Sequence, residues 1–210
     1  MPDVPCFLIT KTDRVRRKLR RYFSAPDWKQ QICPIHGSMH NASAIVDVVP
    51  DTDQASGDSW PHDDPRWPKV CDCGQYTFTE QDHWQLFIEH LFRRDTGEEH
   101  TLREAPPGAM WYADWMIEGV DQSKHGNLYR GPDGHCLMVR CPDGHDWCVD
   151  SRCSNCTLPN DNIHKCWVRH GTPPNITVDK NGVTCAAGAG SILTPKWHGF
   201  LTSGVLSEHR

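Results

Sequence analysis

Two short cysteine turns, Cys33-Pro34-Ile35-His36-Gly37 and Cys71-Asp72-Cys73-Gly74, place four metal-type ligands in two pairs on either side of an acidic segment. Zinc takes four sulfur or nitrogen ligands in a tetrahedron, and a bend supplies two at a time by turning neighbouring side chains onto one ion. Cys33 and His36 have the two-residue spacer that such a knuckle needs, with Pro34 shaping the turn and Gly37 relieving its exit. Cys73-Gly74 resembles the second half of a zinc ribbon. The Cys71-x-Cys73 spacer is tighter than usual, which leaves room for His40 or His62 to replace one of those thiols. The expectation is a structural Zn2+ site on Cys33, His36, Cys71 and Cys73. A fully ligated ion has no open position for water, so such a site stabilises a fold and does not activate a nucleophile.

A chain of 210 residues with 37% hydrophobic residues, 16 Gly and 16 Pro is expected to be loop-rich, with many turns. No run of 18 apolar residues exists, so no membrane span is expected. The N-terminus lacks the basic, apolar and small-residue pattern of a secretory signal. The 11 cysteines are odd in number and clustered with histidine, which fits thiolates in a reducing cytosol better than a disulfide framework. Charge is segregated. Residues 11–29 carry a net +6, whereas residues 47–99 carry a net −9, so the basic stretch can find its partner in the same molecule or in a neighbouring copy.

The spacing of Val15, Leu19, Tyr22 and Phe23 predicts a basic helix from Thr12 to about Phe23. Residues Ala44 to Val49 read as a strand. Thr79 and Asp82, followed by Trp84, Phe87, Ile88, Leu91 and Phe92, predict a second helix from about Glu80 to Arg93. His83 and His90 on that helix read as surface or packing residues. The segment Ala105 to Trp115 reads as a hinge. Beyond it, Leu137–Cys141 and Asp146–Asp150 flank Pro142-Asp143-Gly144 as a hairpin, and Asn181-Gly182 marks a second one within Thr177–Thr184. The predicted class is therefore α+β: a zinc-knuckle N-terminal half with two helices over residues 1–104, and a β-hairpin-rich half over 105–210.

A second cluster, Cys153-x-x-Cys156 with His164-x-Cys166, also has ligand spacing. Its alternatives are buried thiols beside Cys141 and Cys148, or a nucleophilic Cys156 with His164 or His170 as base. No catalytic residue is predicted, because His135-Cys136, His145-Asp146 and His170-Gly171 lack partner spacing.

The strings TLREAPPGAMW (101–111), NCTLP (155–159), CWVRHG (166–171) and TVDKNGVTCAAGAGSI (177–192) make roughly the last 110 residues resemble uncharacterised proteins of tailed bacteriophages. The cysteine knuckles before them resemble the same family more loosely. Relatives commonly have Ala at the position of Cys153, which weakens a second zinc site. The resemblance implies a phage particle or an infected bacterial cytoplasm.

The expected function is a non-enzymatic virion component, a minor capsid or head-associated protein, contacting other virion proteins such as the major capsid protein or copies of itself. Nine tryptophans can anchor such interfaces. The alternatives are a nucleic-acid-binding accessory protein using the 11–29 stretch, and a Cys/His hydrolase.

Overall fold

Ile9, Val15, Leu19, Arg21 and Phe23 are buried and lie an even number of residues apart. That is the period of a strand, whose alternate side chains share one face. The computed structural model describes residues 2–24, 32–53, 60–119, 129–158, 161, 163–188 and 190–209. In it these side chains belong to a long strand and the residue that follows it, not to a helix. In chain order the strands are β1 (Val4–Pro5), β2 (Phe7–Tyr22), β3 (Asn41–Pro50), β4 (His83–Arg94), β5 (Glu99–Thr101), β6 (Ala109–Tyr112) and β7 (Leu137–Arg140). They continue as β8 (Asp146–Cys148), β9 (Val168–Thr172), β10 (Asn175–Asp179), β11 (Ile192–Leu193), β12 (His198–Thr202) and β13 (Val205–Ser207).

The predicted α+β class with two helices is thereby corrected. Among the described residues no helix reaches seven residues, and the helical elements are 3-10 turns at Asp51–Asp53, Leu102–Glu104 and Asp114–Met116. Both mistaken helices have a physical origin. In β2, the spacing of four between Val15 and Leu19 satisfies a helix and a strand alike, and Arg17 and Arg21 hide the alternation by occupying the same parity. Arg21 is buried with its guanidinium 3.7 Å from the centre of the Trp84 ring, and it donates to the carbonyls of Pro68 and Thr79. Arg17 forms a two-pronged pair with Asp47, at 2.8 and 2.6 Å. In β4, residues 86–92 are at least partly buried on both faces, which erases the period-two signal. Thr79 and Asp82, expected to cap a helix, close a turn instead. The buried Asp82 carboxylate accepts from the Thr79 N–H at 2.7 Å, the Ser24 N–H at 3.1 Å and the Tyr76 hydroxyl.

The chain divides into two units, residues 1–10 with 93–210 and residues 11–92, where the sequence reading drew one boundary between 104 and 105. In the 11–92 unit, β3 runs antiparallel to β2 from Arg14↔Pro50 to Tyr22↔Asn41, with Val46 as the extra residue of a bulge opposite Arg17 and Lys18. Lys18 pairs with Glu89 at 2.5 Å and Lys11 with Asp51 at 3.6 Å. Part of the basic stretch is thus matched by acids of its own unit. Lys29 lies outside the described residues.

In the other unit, the start of β2 pairs parallel with β6, and β6, β7 and β8 continue antiparallel. The β7–β8 hairpin turns at Gly144, in the left-handed region at φ 84°, where the sequence placed it. The second hairpin is displaced. β10 pairs back onto β9 through a turn at Pro173-Pro174, so Asn181-Gly182 lies beyond it. Strands β1, β13, β12 and β11 make another sheet. Leu137, Val139, Val149, Ile176, Leu201 and Leu206 are buried in the core of this unit.

Candidate metal centres

In the 11–92 unit, Cys33, His40, Cys71 and Cys73 bring one ligand atom each to within 4.8 Å of all the others. The backbone explains the convergence. The Cys33 turn closes through Gly37 N–H to Cys33 C=O at 2.9 Å and Cys33 N–H to Ser38 C=O at 2.7 Å, with Gly37 left-handed at φ 61°. The Cys71 turn repeats the arrangement through Gly74 N–H to Cys71 C=O at 2.8 Å, with Gly74 at φ 74°. These positive angles are what Gly supplies at each exit. The Gln75 N–H points at the Cys73 sulfur at 3.5 Å. Phe78 and Ala42 pack against the group, and the His40 ring stacks on Tyr76 at 5.0 Å.

Tetrahedral zinc with bonds of about 2.3 Å to sulfur holds two sulfurs about 3.8 Å apart, and a sulfur and a nitrogen roughly 3.5 Å apart. Cys33 Sγ and Cys71 Sγ are 3.8 Å apart, and Cys73 Sγ lies 3.3 Å from His40 Nδ1. His36, the expected fourth ligand, stands at the edge. Its Nδ1 is 4.0 Å from Cys71 Sγ and its Nε2 faces the Asp72 carboxylate at 3.3 Å. His62 is taken up elsewhere, stacked on Trp84 at 4.7 Å.

The other unit holds a second group: Cys156, His164, Cys166 and Cys185, again with ligand atoms within 4.8 Å. Cys156 Sγ lies 3.2 Å from His164 Nε2, and Cys185 Sγ lies 3.7 Å from Cys166 Sγ. His164 is buried; its Nδ1 makes no hydrogen bond and stands 3.7 Å from the Asp161 carboxylate. Sequence spacing found Cys156, His164 and Cys166 but took Cys153 as the fourth member, which packs beside this core. It missed Cys185. No other Cys or His lies within ten residues of Cys185, so local spacing had nothing to pair it with.

The thiols of both groups are tuned apart. Burial opposes charge on Cys33, yet the N–H groups of His36 and Ile35 aimed at its sulfur, with Cys73 and Cys71 assisting, bring it down to about 7. Cys71 is pushed up to about 11, by burial first. In the second group, burial is again opposed at Cys185, where the N–H groups of Ala187 and Thr157 bring it down to about 6, while burial drives Cys166 up. Crowded thiols cannot all ionise without a cation among them, and a divalent metal supplies that charge. Both groups could hold a metal ion.

Other histidines find other partners. His83 stacks on Tyr22 at 4.7 Å, His90 lies 3.6 Å from Asp51, His170 pairs with Asp179 at 3.0 Å and His135 with Asp114 at 2.7 Å. All 11 cysteines are free thiols. Among the described residues no helix is long and apolar enough to cross a membrane. Among the described residues, the fold and these groups define a β protein with two Cys3His clusters, one in each unit. No protein-family model, curated protein or solved structure matches the chain.

Proposed function

We propose that both groups bind structural zinc and that the protein is a non-enzymatic component of a tailed-phage particle, acting through protein–protein contacts. One observation carries the zinc reading: each group gathers four protein ligand atoms within 4.8 Å of one another, with pairs at 3.8 and 3.3 Å in one and at 3.7 and 3.2 Å in the other, close to the edges of a zinc tetrahedron. Four protein ligands leave no coordination position for substrate, so the metal's role is to clip loops together. The particle reading rests on the resemblance of the strings at 101–111, 155–159, 166–171 and 177–192 to proteins of tailed phages. The internal pairing of Lys11, Arg17 and Lys18 with acids supports protein contacts over the nucleic-acid alternative, which needs an unneutralised basic face.

Elemental analysis of the purified protein tests the metal, with two zinc ions per chain expected. Mass spectrometry of extensively washed particles tests the location. Abundance in infected-cell lysate with absence from washed particles would end the virion reading.

The Cys156–His164 contact at 3.2 Å favours a second reading, a cysteine hydrolase. Alkylation separates the two. In zinc-loaded protein a ligating Cys156 resists iodoacetamide, whereas a catalytic thiolate reacts first.

A further inference from the structure

A cavity of about 390 Å³ opens beside the second Cys3His group, within the range of roughly 300–1,000 Å³ typical of small-ligand sites. Trp147 and Trp167 line it, with ring centres 5.2 Å apart and planes inclined by 36°. The Trp167 N–H is already committed to the Val149 carbonyl at 2.6 Å, so that residue offers the cavity only its ring. Around these rings stand Ser151, Ser154, Asn155, Ser191 and His198. Among the described residues Arg152 is the only charged one in the lining, and its guanidinium donates to the carbonyls of Asp161 and His164.

We propose that this cavity binds a neutral saccharide unit. A pyranose has an apolar C–H face, which packs on indole, and a rim of hydroxyls that both donate and accept hydrogen bonds. The lining matches both halves: two aromatic rings, then serine hydroxyls, an amide and an imidazole, which donate and accept in turn. A nucleobase fits less well. The two rings pack on each other with centres 5.2 Å apart, too close for a base to stack between them, and among the described lining residues the one cation, Arg152, already donates to backbone carbonyls.

The placement of the walls ties binding to the metal. Ser154 and Asn155 sit in the turn that ends at Cys156, and Gly188 and Ser191 follow Cys185. Cys156 and Cys185 are both members of the Cys3His group, so the ion would tie these two lining segments together. This dependence rests on the zinc reading above.

The test titrates zinc-analysed protein with glucose, galactose, N-acetylglucosamine and their disaccharides, following tryptophan fluorescence and calorimetry. At least one sugar is expected to bind, with affinity falling about tenfold or more in Trp147→Ala and in Asn155→Ala, both retaining two zinc ions. Protein carrying two zinc ions that binds none of these sugars overturns the proposal and leaves the zinc reading intact. Sugar binding that survives both substitutions overturns the site. Tight binding of an oligothymidylate in place of sugars overturns the ligand class. Sugar binding by protein that never carried zinc removes the metal dependence.

Discussion

At the scale of single residues, the two histidines near the first cysteine group make a sharp pair. His40 Nδ1 is 3.3 Å from Cys73 Sγ, whereas His36 Nδ1 is 4.0 Å from Cys71 Sγ and its other nitrogen faces Asp72. His40→Ala should therefore lose one of two zinc ions on dialysis, and His36→Ala should keep both. Loss of zinc from His36→Ala alone would return that residue to the ligand set. A spacing rule selects His36 because it counts residues within one turn. It cannot see that the chain after Ser38 swings the buried His40 ring onto Tyr76 and over the thiols. Charge pairs give a second residue-scale expectation. Burial works against ionisation of Asp133, but the Arg169 guanidinium at 2.7 Å and the His135 N–H hold its pKa down to about 2. A depressed folded pKa gives stability that is present above the unfolded value of about 3.9 and is lost as pH falls through about 2. Asp150, on the same guanidinium, is raised by burial and so contributes with the opposite sign. Thermal melts of Asp133→Asn should show a flatter acid limb between about pH 4 and pH 2 than the parent. An unaltered limb would assign the acid sensitivity to other carboxylates.

At the scale of elements, β2 carries both the strongest sequence pattern and the largest misreading. Val15 and Leu19 are wholly buried and would face inward from a helix or a strand, so hydrophobic spacing alone could not choose between them. The choice is made by neighbours distant in sequence: β3 pairs along nine residues of β2, and Asp47, Trp84 and the Thr79 carbonyl accept the inward-facing arginines. Hairpins were legible where turn chemistry is local, as at Gly144. They were misplaced where the short Pro173-Pro174 link outcompeted Asn181-Gly182. Leu19→Ala should cost about 2–5 kcal/mol, the usual range for truncating a fully buried leucine. Chemical denaturation followed by far-ultraviolet circular dichroism measures it, and the parent spectrum should be that of a β protein. A cost well under 1 kcal/mol would mean that this face of β2 is not packed.

At the scale of the whole molecule, the chain places one Cys3His group in each of its two units. Metal should thus stabilise them separately. In the 11–92 unit, the group joins the turns at Cys33 and Cys71 to the start of β3, next to His40. In the other, it ties Cys156, His164 and Cys166, all ahead of β9, to Cys185, which follows β10. Because a preformed site is absent from the unfolded chain, metal affinity becomes folding energy only for the segments its ligands connect. Cys71→Ser and Cys166→Ser separate the two contributions, read by amide hydrogen exchange. Cys71→Ser should raise exchange about tenfold or more through β3 and the Cys33 and Cys71 turns, while β7, β9 and β10 keep their protection. Cys166→Ser should do the reverse, loosening β9, β10 and the 185–191 segment and sparing β3. If either substitution instead raises exchange equally in both units, the clips act on one cooperative structure, and the two-unit division carries no energetic weight.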